Sequence, residues 1–115
     1  MTAEPNIRIT KHAEQRIRKR FGINKRAVDS HAAKAFKYGT HWKNCRGALR
    51  NYMEKTIDKQ EGAANNAKVY NQYVYLFRGT MLITILQLPR RHHEAARQIK
   101  LNKGKYAENK GFQSE

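Results

Sequence analysis

The hydropathy pattern predicts an α+β fold in which three N-terminal helices pack on a three-stranded antiparallel β-meander, followed by a basic C-terminal tail. Three observations point there. Apolar residues recur at helical spacing through the first half of the chain. After the Asn65-Asn66 pair the period becomes strand-like, with Tyr, Val, Leu, Phe and Ile dominant. The connections between apolar runs are short and carry Gly where a helix must end or a turn tighten. A chain of 115 residues has the size of one domain with one hydrophobic core. That domain is expected over residues 1–89, with residues 90–115 a mobile basic extension holding at most a helical turn or two around Glu94 to Leu101.

Thr10 is placed to cap a helix over Lys11 to Phe21, which Gly22 ends in the left-handed conformation. Ile9, Ala13, Ile17 and Phe21 form its buried stripe. Asn24 caps a second helix over Lys25 to Tyr38, closed by Gly39, with Val28, Ala32, Ala35 and Phe36 on its apolar side. The short Gly22-Ile23 connection makes the two helices neighbours. A loop over Thr40 to Asn44 leads to a third helix over about Cys45 to Lys59, striped by Cys45, Leu49, Tyr52, Met53 and Thr56 or Ile57. Strands follow at Lys68 to Tyr70, Tyr73 to Phe77 and Met81 to Leu88, joined by Asn71-Gln72 and Arg78-Gly79-Thr80. In the second strand Tyr73, Tyr75 and Phe77 are expected under the helices, with Val74 and Leu76 outward. The last strand is apolar almost throughout, as a strand covered on both faces would be, and Pro89 stops it.

Charge is the compositional outlier: 24 Lys+Arg against 9 Asp+Glu give +15. Such self-repulsion opposes a compact state unless a polyanion offsets it, so nucleic acid, RNA ahead of DNA, is the expected partner. An acidic protein or a ribonucleoprotein would present a similar counter-charge. Cys45 is alone, which leaves no intramolecular disulfide and fits a reducing compartment. The first residues have neither a basic region nor an apolar run, so no secretory signal is expected. Met81 to Leu88 is too short to span a bilayer, and no membrane partner is expected. The sequence has no P-loop, Rossmann fingerprint or nucleophile elbow, and its scattered acids do not form a two-metal nuclease pattern. His41 and Cys45 lie four apart, but two ligands make no metal site, and no cofactor is called for.

The first helix carries most of the candidate chemistry. Lys11, Arg16, Arg18, Lys19 and Arg20, with Lys25 and Arg26 just beyond, set seven cations against Glu14 over 16 residues. Helical spacing aligns His12, Arg16 and Arg20 (or Lys19) in a row beside the buried stripe. An imidazole titrating near neutrality beside guanidiniums suits proton transfer at a phosphate, and RNA supplies its own 2′-hydroxyl nucleophile. The same row also reads as a plain phosphate-binding face. Tyr70, Tyr73 and Tyr75 beside Arg78 could stack unpaired bases, or could be core. Arg90-Arg91-His92-His93 could bind phosphate, could supply a second acid/base, or could only add general attraction for a polyanion.

Lys11, His12, Ala13, Arg16, Arg20, Gly22 and Ile23 form a pattern that resembles the start of small toxin-like domains of bacteria and their mobile elements, related to the RelE/barnase-like ribonuclease superfamily. The specific match lies within residues 9–25; the strands at Val74 to Phe77 and Leu82 to Ile85 fit by type only, and the third helix is additional to the simplest members. The chain is also similar to short phage and prophage proteins of Gram-positive bacteria. The resemblance implies a translation-targeting or other metal-independent ribonuclease with His12 and Arg16 or Arg20 as candidates; on that reading His12 is the expected acid/base, and Arg16, Arg20 and Arg78 are expected to stabilise the phosphate. It also implies the cytoplasm of a bacterial or phage-infected cell. Such domains can lose catalysis and keep the RNA surface, so cutting and holding both stay open. The alternative is a phage or mobile-element protein that blocks a host nucleic-acid enzyme or ribonucleoprotein through the same cations. A helix-turn-helix reading of the first two helices fares worse, because Asp29 to Ala33 offers few side chains that read bases.

Overall fold

Thr10 sets the register of the N-terminal half. Its backbone is extended, and its hydroxyl accepts from the Ala13 N–H at 3.1 Å, so the chain turns into helix at Lys11. In the computed structural model, which describes residues 7–100, this helix (α1) spans Lys11–Phe21 and ends on Gly22 at φ 63°, whose N–H bonds the Arg18 carbonyl at 2.9 Å. Asn24 repeats the device, its side chain accepting from the Ala27 N–H at 2.9 Å, and α2 spans Lys25–Tyr38. Both helices have the predicted ends. The third, α3, spans Gly47–Asp58, because a 3₁₀ turn at Trp42–Asn44 occupies part of the expected loop and leaves Cys45 ahead of the helix.

The three predicted strands are present as Asn66–Tyr70, Tyr73–Arg78 and Met81–Gln87, an antiparallel meander. Two short strands extend it beyond the expected three. Arg8–Ile9, the first in the chain and so β1, pairs parallel with Met81 and Leu82; Thr40–His41 (β2) pairs antiparallel with Val69 and Lys68. With the meander strands as β3, β4 and β5, the mixed five-stranded sheet has the order β1-β5-β4-β3-β2. Only two residues pair at each edge, so hydropathy period carries no signal for them. The fold is α+β, with a larger and mixed sheet in place of the plain meander.

Both sheet faces are covered, and the outward placement expected for Val74 and Leu76 is corrected. Under α1 and α2, Ala13, Ile17, Val28, Ala32, Tyr75, Phe77 and Ile85 form one core. On the other face Val74 and Leu76 are fully buried with Cys45, Leu49, Met53, Val69 and Leu88. Each of those two side chains would otherwise expose area worth about 1.5–3 kcal/mol, which makes the second layer a requirement of the sequence. A 3₁₀ turn at Arg90–His92 and a fourth helix, α4, over residues 93–100 belong to that layer, with Ala96 and Ile99 packed on the second core. Residues 90–100 of the expected extension are therefore folded against the sheet, and residues 101–115 lie outside the described residues. Among the described residues no helix is long and apolar enough to cross a membrane.

The β4–β5 register shifts from Leu76 opposite Thr84 to Phe77 opposite Leu82, which leaves Ile83 as an extra residue. The Ile83 carbonyl accepts from the Thr10 hydroxyl at 2.9 Å. One threonine thus starts α1 and fastens it to the sheet. Thr10→Val keeps the volume and removes both bonds. It should lower unfolding free energy by about 2 kcal/mol, from the lost cap and an unpaired carbonyl, while Thr10→Ser retains most of it. Urea unfolding followed by circular dichroism measures the difference.

Candidate nucleic-acid interface

The buried stripe of α1 turns its remaining faces outward, and these are cationic. Lys11, His12, Arg18, Lys19 and Arg20 are exposed; Arg16 is half-buried. Lys25 and Arg26, also exposed, begin α2 beside the end of α1. Among the described residues only two ion pairs form, Arg18–Glu14 at 3.5 Å and Arg97–Glu94 at 2.9 Å. Apart from Arg18, the cations of this face have no carboxylate of the described residues within ion-pair distance.

The predicted row is real as helix geometry, yet its members differ in state. His12 is exposed and makes no hydrogen bond or ring contact among the described residues. Arg16 donates through Nε to the Ile85 carbonyl at 3.2 Å, on the outer edge of β5 that β1 does not reach. Its two terminal amino groups carry no further bond among the described residues. Arg20 lies over the Tyr73 ring, 5.8 Å from its centroid. Eight residues of helix separate His12 from Arg20, or about 12 Å of axis.

At the Arg20 end the sheet contributes aromatics. Phe21 meets Tyr73 edge-on at 5.0 Å and His31 at 4.5 Å. His31 Nε2 and the Tyr75 hydroxyl are 2.5 Å apart, and Tyr70 approaches both rings at 6.2–6.4 Å. Tyr75 is fully buried and needs a partner for its hydroxyl, which the imidazole provides. Burial first, then the Lys34 ammonium, hold His31 below its ordinary value of 6.5, so the imidazole that shares this hydrogen bond is neutral. Burial, with Tyr70 and Tyr73 alongside, raises the Tyr75 phenol well above the usual range. The pair is a neutral hydrogen bond rather than a free base.

The other predicted residues divide by position. Arg78 ends β4 opposite Met81, whereas Tyr73 begins it, roughly 17 Å away along the strand. Arg78 donates to the Gly62 carbonyl and does not join Arg20. Arg90 and Arg91 are exposed just past β5, whose last residue pairs with Tyr73, so they lie at the Arg20 end of the sheet. Their histidine neighbours serve the fold: His92 is buried against Tyr52, and His93 Nε2 bonds the Leu88 carbonyl at 2.7 Å. Cys45 is wholly buried, its Sγ directed at the His41 carbonyl at 3.8 Å, and burial pushes the thiol up to about 11.

No family model, curated protein sequence or solved structure matches this chain. The functional reading therefore stands on the geometry.

His31 is a site residue that the sequence candidates do not include. It sits three residues after Val28 and four before Ala35, so the helical stripe itself carries the signal for its contact with the core. Its depressed pKa gives a sign for pH dependence. Below about 6.5 the unfolded chain takes up a proton that folded His31 resists, so stability present at neutral pH falls as pH drops, by at most about 1.4 kcal/mol per pH unit for this group. His41 and His92, also lowered by burial, act in the same direction. Denaturant midpoints at pH 7 and pH 5 should show the fall, and His31→Gln should show a smaller one.

Proposed function

We propose that this chain is a nucleic-acid-binding, toxin-like domain that holds an unpaired strand, RNA in preference to DNA, against the face of α1 and the adjoining end of the sheet. The observation that carries the reading is Arg20 lying over Tyr73 within a field of cations of which, among the described residues, only Arg18 has a carboxylate partner. Phosphates favour such cations, and a guanidinium already set against a ring offers an unpaired base a surface to stack on. Lys11, Arg18, Lys19, Lys25 and Arg26 supply attraction along the strand path, with Arg90 and Arg91 at its far end. Arg16 is fixed by the sheet edge and offers its terminal amino groups to a phosphate. The domain would act without metal or other cofactor, in the cytoplasm of a bacterial or phage-infected cell.

Holding is better supported than cutting. Cleavage by the predicted row would need His12 fixed at the scissile phosphate, and its side chain is exposed with no group orienting it among the described residues. His31, the more rigid imidazole, is already hydrogen-bonded to the Tyr75 hydroxyl.

The test is binding of a labelled single-stranded RNA in chelator across a salt series. Log affinity should fall steeply and linearly with log salt, and the RNA should be recovered intact. Lys19→Ala with Arg20→Ala should cost about tenfold at low salt and flatten the slope by about 0.7 for each phosphate that is no longer neutralised. Absence of binding at low salt overturns the reading. RNA cut in chelator by the native chain and spared by His12→Ala would replace it with the ribonuclease.

A further inference from the structure

The turn between β3 and β4 has only two residues, Asn71 at φ 49° and Gln72 at φ 68°. Both are left-handed, as a tight hairpin turn requires. Glutamine rarely adopts that conformation, and here the Leu88 N–H donates to its carbonyl at 3.0 Å. The two amide side chains thus project from a backbone fixed on both sides.

Opposite the turn runs α4, seated on the second core by Ala96 and Ile99. A cleft of about 520 Å³ lies between them, within the range of small-ligand sites. Tyr38, Tyr70, Asn71, Gln72, Arg97 and Lys100 line it. Tyr38, at the end of α2, is 59% exposed, the single large hydrophobic side chain so exposed among the described residues. Packing does not account for it. The Lys37 ammonium lies 5.3 Å from its ring centroid. Tyr70, on the inner side, also belongs to the His31–Tyr75 cluster, so the cleft adjoins the aromatic end of the proposed strand path.

The lining has the chemistry of a nucleotide site. Two phenol rings can stack a base, and each amide brings both donors and an acceptor for a base edge. Glu94 also lines the cleft but is occupied, accepting two bonds from Arg97 at 3.2 and 2.9 Å and one from Gln98 at 2.9 Å. That leaves Lys100 as the cation in the cleft without a carboxylate among the described residues.

We infer that this cleft receives one unpaired nucleotide of the bound strand, its base stacked on Tyr38, its edge read by Asn71 and Gln72, and its phosphate beside Lys100. The inference rests on the nucleic-acid reading above and adds a base-recognising subsite to a surface that otherwise attracts phosphate.

The experiment compares the full-length chain on two labelled single-stranded RNAs of equal length, one ordinary and one abasic along its centre. The native chain should prefer the ordinary strand. Tyr38→Ala should lower affinity for it about tenfold, leave the abasic strand within twofold and keep the salt slope. Because Tyr38 is exposed, truncation removes nothing from either core. Asn71→Gly and Gln72→Gly preserve the positive φ and remove the amides, so they should narrow the differences in affinity among poly-U, poly-A and poly-C strands. If Tyr38→Ala binds the ordinary strand as tightly as the native chain does, the subsite is wrong and the phosphate-binding face stands. If no strand binds at low salt, both readings fall together.

Discussion

Beyond the two residues paired with β1, the outer edge of β5 has no strand beside it, and the carbonyls of Ile83 and Ile85 need donors there. Thr10 and Arg16, less than two helical turns apart, supply them from side chains. Two such bonds fix α1 along its length and about its axis. Once the helix is so clamped, Ala13 and Ile17 must face Tyr75 and Ile85, and Arg20 must arrive at Tyr73. The cationic face is therefore oriented by the same bonds that protect a sheet edge from pairing with another chain. Charge repulsion along α1 works against the helix, and this anchorage opposes it locally.

The first two helices are legible to the residue because their ends depend on local chemistry: Thr10 and Asn24 bond amides three residues on, and Gly22 adopts a conformation that other residues resist. The central strands are legible from period and turn. The edge strands are not, since two-residue pairings across the length of the chain leave no local trace. Val74 and Leu76 carry a signal that points away from the outward placement expected for them. Tyr73 to Phe77 contains no charged or amide residue at either parity, which marks a strand buried on both faces, as Met81 to Leu88 is.

The site is legible as composition and only partly as constellation. Helical periodicity correctly aligns His12, Arg16 and Arg20 but gives no view of what lies opposite them. Arg16 bonds a carbonyl 69 residues later, and Arg78 leaves the group because β4 carries it to the other end of the sheet. His31 escapes notice for the reverse reason: no arginine flanks it in sequence, and its partner is a buried phenol in the sheet.

Cys45 gives the second core its own reporter. A lone thiol with no exposed area, raised to about 11, reacts with alkylating reagents only after the layer above it opens and the thiolate forms. It lies with α3 and not with α1 or α2, so its rate of modification follows the opening of that layer separately from the cationic one. If the two layers come apart as one cooperative unit, labelling should track global unfolding; if α3 and its turn lift first, Cys45 will label while Tyr75 is still enclosed.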